Sequence, residues 1–163
     1  MKLSVILNDK KEILEAEPQT PLSKVLREKG LISVKNSGQN GTGLSCTVLL
    51  DGKPVPSDII PFAIIKNANI ITLEYFETTN DYQDIKNGFD QAGIKLCGYC
   101  NSGMIFTAYD ILHTFNRPTV QEIEESFSGL CYCCTGKRAI TQGIRSATAY
   151  RNRRIGSLRN GRK

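Results

Sequence analysis

Apolar and polar positions alternate at the start of the chain. LSVILNDKKEILEA holds two short alternating runs joined at Asn8-Asp9-Lys10-Lys11, which predicts a β-hairpin. The period then lengthens. Thr20 and Pro21 mark a helix start, Leu22, Val25 and Leu26 share one face of PLSKVLREKG, and Gly30 stops it. TVLLDGKPVP reads as a strand, an Asp-Gly turn and a second short strand, and IITLEYF as a further strand.

From residue 80 the apolar spacing is three and four. YQDIKNGFDQAG, SGMIFTAYDILHTF, TVQEIEESFSG and KRAITQGIRSATAYR predict four helices. Asn101 or Ser102 and Thr119 are candidate N-caps, Gly93 and Gly129 lie near ends, and Pro118 separates the second helix from the third. ETTNDY is the expected linker. The fold class is therefore α+β: residues 1–79 form a β-grasp unit, in the order hairpin, helix, further strands, and residues 80–163 form a four-helix unit. A chain of 163 residues has room for one domain or two small ones.

Charge refines this picture at one end only. The net charge is +5, but Arg145 to Lys163 contains seven cations and no acid, so the remainder is close to neutral. Tyr150 is the only aromatic among these arginines, which argues against nucleic acid and for a solvated or subunit-docking extension. No apolar run reaches signal-peptide or membrane-spanning length, so the expectation is a cytoplasmic protein in a reducing compartment, with no membrane association.

Six cysteines in a reduced chain point to metal or redox chemistry rather than disulfides. Five fall in two groups, CGYC (Cys97, Cys100) and CYCC (Cys131, Cys133, Cys134), each beside predicted helices. Antiparallel helices would bring the two loops together as a four-thiolate site. Such a site suits zinc or an iron-sulfur cluster, and spacing alone does not separate the two. The single histidine, His113, lies on an amphipathic helix with only Asp110 as an acidic neighbour at helical spacing, and reads as a surface or packing residue.

The loop KNSGQNGTGLSCTVLL has a second relation to cluster chemistry. In the plant-type spacing Cys-x4-Cys-x2-Cys, counting back from Cys46 puts the earlier ligands at Gly43 and Gly38. The spacing is there without the thiols.

Three segments, TPLSKVLREKGLISVKNSGQNGTGLSCTVLLDGKPVPSD, LCGYCNSGMI and SGLCYCCTGKRAI, together resemble the small iron-sulfur subunits of the molybdenum hydroxylases, the group of xanthine dehydrogenase, aldehyde oxidoreductase and carbon-monoxide dehydrogenase. The resemblance runs over about residues 3–145. It implies a ferredoxin-like β-grasp domain with one 2Fe-2S cluster, a four-helix domain with a second, a large molybdopterin subunit as partner and a flavin subunit as electron acceptor.

Mapped onto the family, the N-terminal ligand positions are Gly38, Gly43, Cys46 and Asp58. One thiolate and one carboxylate cannot replace four sulfurs around two irons, so an N-terminal cluster is expected to be absent. In the helical half Cys97 and Cys100 map cleanly. The other pair is Cys134 with Cys131 in one register, or Cys133 with Cys131 after a one-residue shift. Leu96 stands where the family has a pterin-contacting Gln, and Asn101-Ser102 where it has Thr-Pro. The expected function is an electron-transfer subunit with one 2Fe-2S cluster and no substrate chemistry of its own. The alternative is a degenerate scaffold with no cluster or a structural zinc.

Overall fold

The computed structural model describes residues 1–36, 44–130 and 134–160. Gly38, Gly43, Cys131, Cys133, Arg162 and Lys163 lie outside them. Within the described residues the chain is a mixed α/β structure, with a five-stranded sheet in its first half and mainly helices in its second.

Strands β1 (Lys2–Leu7) and β2 (Lys10–Glu15) pair antiparallel, with Leu7 opposite Lys10. The connection is only two residues, Asn8 and Asp9, both at positive φ (51° and 65°). That is the primed turn whose twist suits a hairpin. Helix α1 (Leu22–Glu28) buries Leu22, Val25 and Leu26 in the sheet's core. Strands β3 (Thr47–Leu50) and β4 (Lys53–Pro56) form a second hairpin through Asp51 and Gly52, also both at positive φ. Strand β5 (Asn69–Ile71) joins the hairpins, parallel to β1 and antiparallel to β3, giving the order β2-β1-β5-β3-β4.

IITLEYF departs from the expected strand. The sheet ends at Ile71, and Leu73–Phe76 forms a helical turn, α2. Thr72 closes the strand by donating its N–H to Asn8 Oδ1 at 2.9 Å. Leu73 and Phe76 must then enter the same core, which a spacing of three achieves only in a helix. The Glu74 carboxylate ties this turn to the sheet half by accepting from Ser33 N (2.7 Å) and Ser33 Oγ (2.6 Å).

The linker is also shorter than ETTNDY. Helix α3 (Asn80–Gln91) begins within it, capped by Thr79, whose side chain accepts from Tyr82 N. Helices α4 (Asn101–Thr114) and α5 (Val120–Ser126) follow, the latter opened by a capping box between Thr119 and Glu122.

Helix α6 (Lys137–Asn160) is nine residues longer than the predicted KRAITQGIRSATAYR, so most of the basic end is ordered helix rather than a solvated tail. Two of its arginines explain the extension. Arg151, 7% exposed, donates to the carbonyls of Phe115 (3.4 Å) and Asn116 (3.2 Å), which α4 leaves open at its C-terminal end. Arg154 donates to Asp84 Oδ2 (2.8 Å) and Asp81 Oδ1 (2.7 Å) on the first turns of α3. His113 completes this group: Nε2 is 3.1 Å from Asp81 Oδ2 and its ring lies 4.2 Å from that of Tyr109. The imidazole is about half exposed, and the acidic group it meets is Asp81 of α3.

The helical core includes Met104, Phe106, Ile111, Ile123, Ile140 and Ile144, all at 2% exposure or less. Burial of a side chain such as Phe106 contributes about 1.5–3 kcal/mol. No described helix is long and apolar enough to cross a membrane.

Two expectations follow. A Cβ at Gly88 would lie 2.4 Å from Ala147 N and 2.5 Å from Gly143 O, so α3 and α6 touch backbone to backbone. Gly88→Ala, which would help an isolated helix, should here cost about 1–3 kcal/mol in a urea titration. The hydrogen bond with His113, aided by the charges of His113 and Arg154 and opposed by burial, holds the Asp81 carboxyl below the usual range. Its stabilising effect is therefore present above roughly pH 3.9 and lost as pH falls through the lower folded value. As pH falls below about 3.9, Asp81→Asn should lose less stability than the parent chain.

Candidate metal centre

Three of the predicted ligands converge. The sulfurs of Cys97, Cys100 and Cys134 lie within 4.8 Å of one another. They are the one such group of cysteine, histidine, aspartate or glutamate ligands among the described residues. Cys131 and Cys133 lie outside the described residues.

Each ligand is placed by the end of a helix. After α3, Gly93 turns the chain at φ 70° and Ile94, 4% exposed, anchors it in the helical core. Gly98, at φ 90°, lets CGYC reverse between its two cysteines. Gly98 N donates to Asn101 Oδ1 at 2.9 Å, fixing the loop against the start of α4. Cys100 is the N-cap residue of α4, buried at 3%, while Cys97 stays exposed. Cys134 is half-buried three residues ahead of α6. Two of the sulfurs thus sit near helix N-termini, where backbone N–H groups favour negative charge.

The sheet half reaches this site, which the motif reading did not anticipate. Lys35 Nζ donates to the carbonyl of Gly98, inside CGYC. Ser102 Oγ, on the first turn of α4, donates to the carbonyls of Leu44 (3.2 Å) and Ser45 (3.4 Å). A Cβ at Gly103 would lie 2.4 Å from Leu44 Cβ, so the short 3-10 turn Leu44–Cys46 rests directly on that helix turn. The sequence signal was available at Ser102: a serine where the family pattern has proline supplies a hydroxyl donor that proline lacks. Nothing in the spacing pointed to Lys35.

The two described N-terminal positions have different surroundings. Cys46 is fully buried in the sheet's core, and its carbonyl accepts from Ser57 Oγ (2.5 Å) and Ser57 N (3.2 Å). Asp58 is buried at 4%. Neither belongs to a ligand group of three or more among the described residues. Leu96, in place of a glutamine, packs its apolar side chain against the helical core.

The donor set at the helical site is all thiolate, which suits a soft metal ion or an iron-sulfur cluster and disfavours hard cations such as magnesium or calcium. The residues present fit a thiolate-held group at this place.

Relatives narrow its identity. Residues 72–145, which contain every cysteine of the site, match the 2Fe-2S binding domain family. The nicotinate dehydrogenase small FeS subunit of Eubacterium barkeri is 34% identical over 89% of this chain and 93% of its own length. The xanthine dehydrogenase iron-sulfur-binding subunit of Escherichia coli O157:H7 is 33% identical over 80% of this chain and 84% of its own. Among solved structures, quinoline 2-oxidoreductase from Pseudomonas putida 86 superposes with a TM-score of 0.82 at 31% identity, over 93% of this chain and 96% of the matched one. Matched in sequence and in fold along nearly its whole length, this chain belongs to the family of iron-sulfur subunits of the molybdenum hydroxylases.

Proposed function

We propose that this protein is an electron-transfer subunit that holds one 2Fe-2S cluster in its helical half and none in its sheet half. The observation that carries the reading is the convergence of the Cys97, Cys100 and Cys134 sulfurs to within 4.8 Å. A bound 2Fe-2S cluster supplies one-electron transfer, and the chain's residues hold and tune it. Cys97, Cys100 and Cys134 are three ligands, and Cys131 is the fourth. Cys131-x-x-Cys134 repeats the spacing of Cys97-x-x-Cys100, which favours Cys131 over Cys133.

In this reading residues 1–79 are a ferredoxin-like β-grasp domain that has lost its cluster, and residues 80–163 are the iron-sulfur domain. Gly38 and Gly43 have no ligand atom, Cys46 is enclosed in the sheet's core, and Asp58 offers a hard oxygen. The partners are a large molybdopterin-type subunit, where substrate chemistry would take place, and a flavin subunit. Relatives named as small or iron-sulfur-binding subunits of dehydrogenases support the first of these. The same relatives, with the 2Fe-2S match over residues 72–145, weigh against a structural-zinc scaffold.

The ligand set is tested by single serine substitutions in anaerobically prepared protein, followed by visible absorption and EPR of the reduced state. Cys133→Ser should keep the parent spectrum, and Cys97→Ser, Cys100→Ser, Cys131→Ser and Cys134→Ser should each lose or alter it. A parent-like spectrum in Cys134→Ser would overturn the assignment. A parent that binds zinc and gives no iron-sulfur signal would overturn the function.

A further inference from the structure

Helix α6 carries seven cations and no acid among Lys137–Asn160, and it divides them between two faces. Arg151 and Arg154 follow Ile140, Ile144 and Ala147 on the inner stripe and are consumed by contacts with α3 and the end of α4. Arg138, Arg145 and Arg153 lie on the opposite stripe, and none of the three pairs with a carboxylate among the described residues. With Lys137 they line an open groove of about 850 Å³ between α6, α5 and the end of α3, in which Glu124 is the only acidic residue among the described ones. A smaller hollow of about 280 Å³ shares Arg145 and adds Arg117. Val120, Ala149 and Tyr150 add apolar surface to its lining.

We propose that this groove is a docking site for an acidic segment of a partner polypeptide. From Arg138 to Arg153 the helix rises about 22 Å, so the cations are too far apart to converge on a single phosphate. They match instead a run of Asp or Glu side chains laid along the helix. Among the described residues the groove has one aromatic ring, Tyr150, and no succession of the stacking platforms that single-stranded nucleic acid uses. The site is independent of the cluster: it uses none of the cysteines, so failure of the cluster assignment would leave it standing.

The test is fluorescence anisotropy of a labelled twelve-residue peptide of glutamates alternating with alanines, at an ionic strength of about 0.15 M. The full chain should bind it saturably. The triple variant Arg138→Gln, Arg145→Gln, Arg153→Gln should bind at least tenfold more weakly. The triple variant Lys10→Gln, Lys11→Gln, Lys66→Gln, with the same change in net charge on exposed sheet-half positions, should bind within twofold of the parent. Thermal melts of both variants establish that they fold. Equal weakening in the two variants would mean attraction by net charge alone and would overturn the proposal, as would absence of saturable binding. Tighter binding of a single-stranded oligonucleotide of equal charge, through the same three arginines, would also overturn it in favour of nucleic acid.

Discussion

Three thiol sulfurs lie within 4.8 Å of one another, and thiolates this close repel unless positive charge lies between them. Adjacent like charges raise one another's pKa, and two helix N-termini offset only part of that repulsion. The loops must therefore be held in place by packing elsewhere in the chain, and in the proposed reading the cluster supplies the missing charge. The close approach of α3 to α6 does much of this. Gly88 against Gly143 and Ala147 allows near contact of the two backbones, and α6 is fixed further along by Arg151 and Arg154. The segments before α4 and before α6 then meet as a consequence of helix packing.

The sheet half takes on a different role in this light. Among the described residues it contributes contact with the neighbouring cysteine loop. Lys35 donates to the carbonyl of Gly98, and the Leu44–Cys46 turn seats on Ser102 and Gly103. In the proposed reading, with glycine at positions 38 and 43 and no cluster in this half, those contacts are what it supplies to the site. The Leu44–Cys46 turn is packing surface for α4 whether or not the preceding loop holds a ligand.

Strands and helices with a clear apolar period were legible in the sequence, as were the two cysteine groups, because both signals are local. Residues 73–76 were not, since LEYF continues an apolar run and only its attachment to the helical core turns it into a helix. The length of α6 was hidden for a similar reason. An arginine-rich segment reads as solvated until Arg151 and Arg154 find open carbonyls and carboxylates more than thirty residues away in sequence. The same long-range character kept Lys35 out of the sequence-based site. His113, read as a surface or packing residue, is exposed, and its partner Asp81 is supplied by another helix.

The central claim is that one cluster is bound per chain, by the helical half alone. Quantitative iron and acid-labile sulfide analysis of anaerobically purified protein tests it most directly. The account predicts about two irons and about two sulfides per chain, as for a single 2Fe-2S cluster. About four of each would place a second cluster in the sheet half and contradict it, and zinc in place of iron would contradict the electron-transfer role itself.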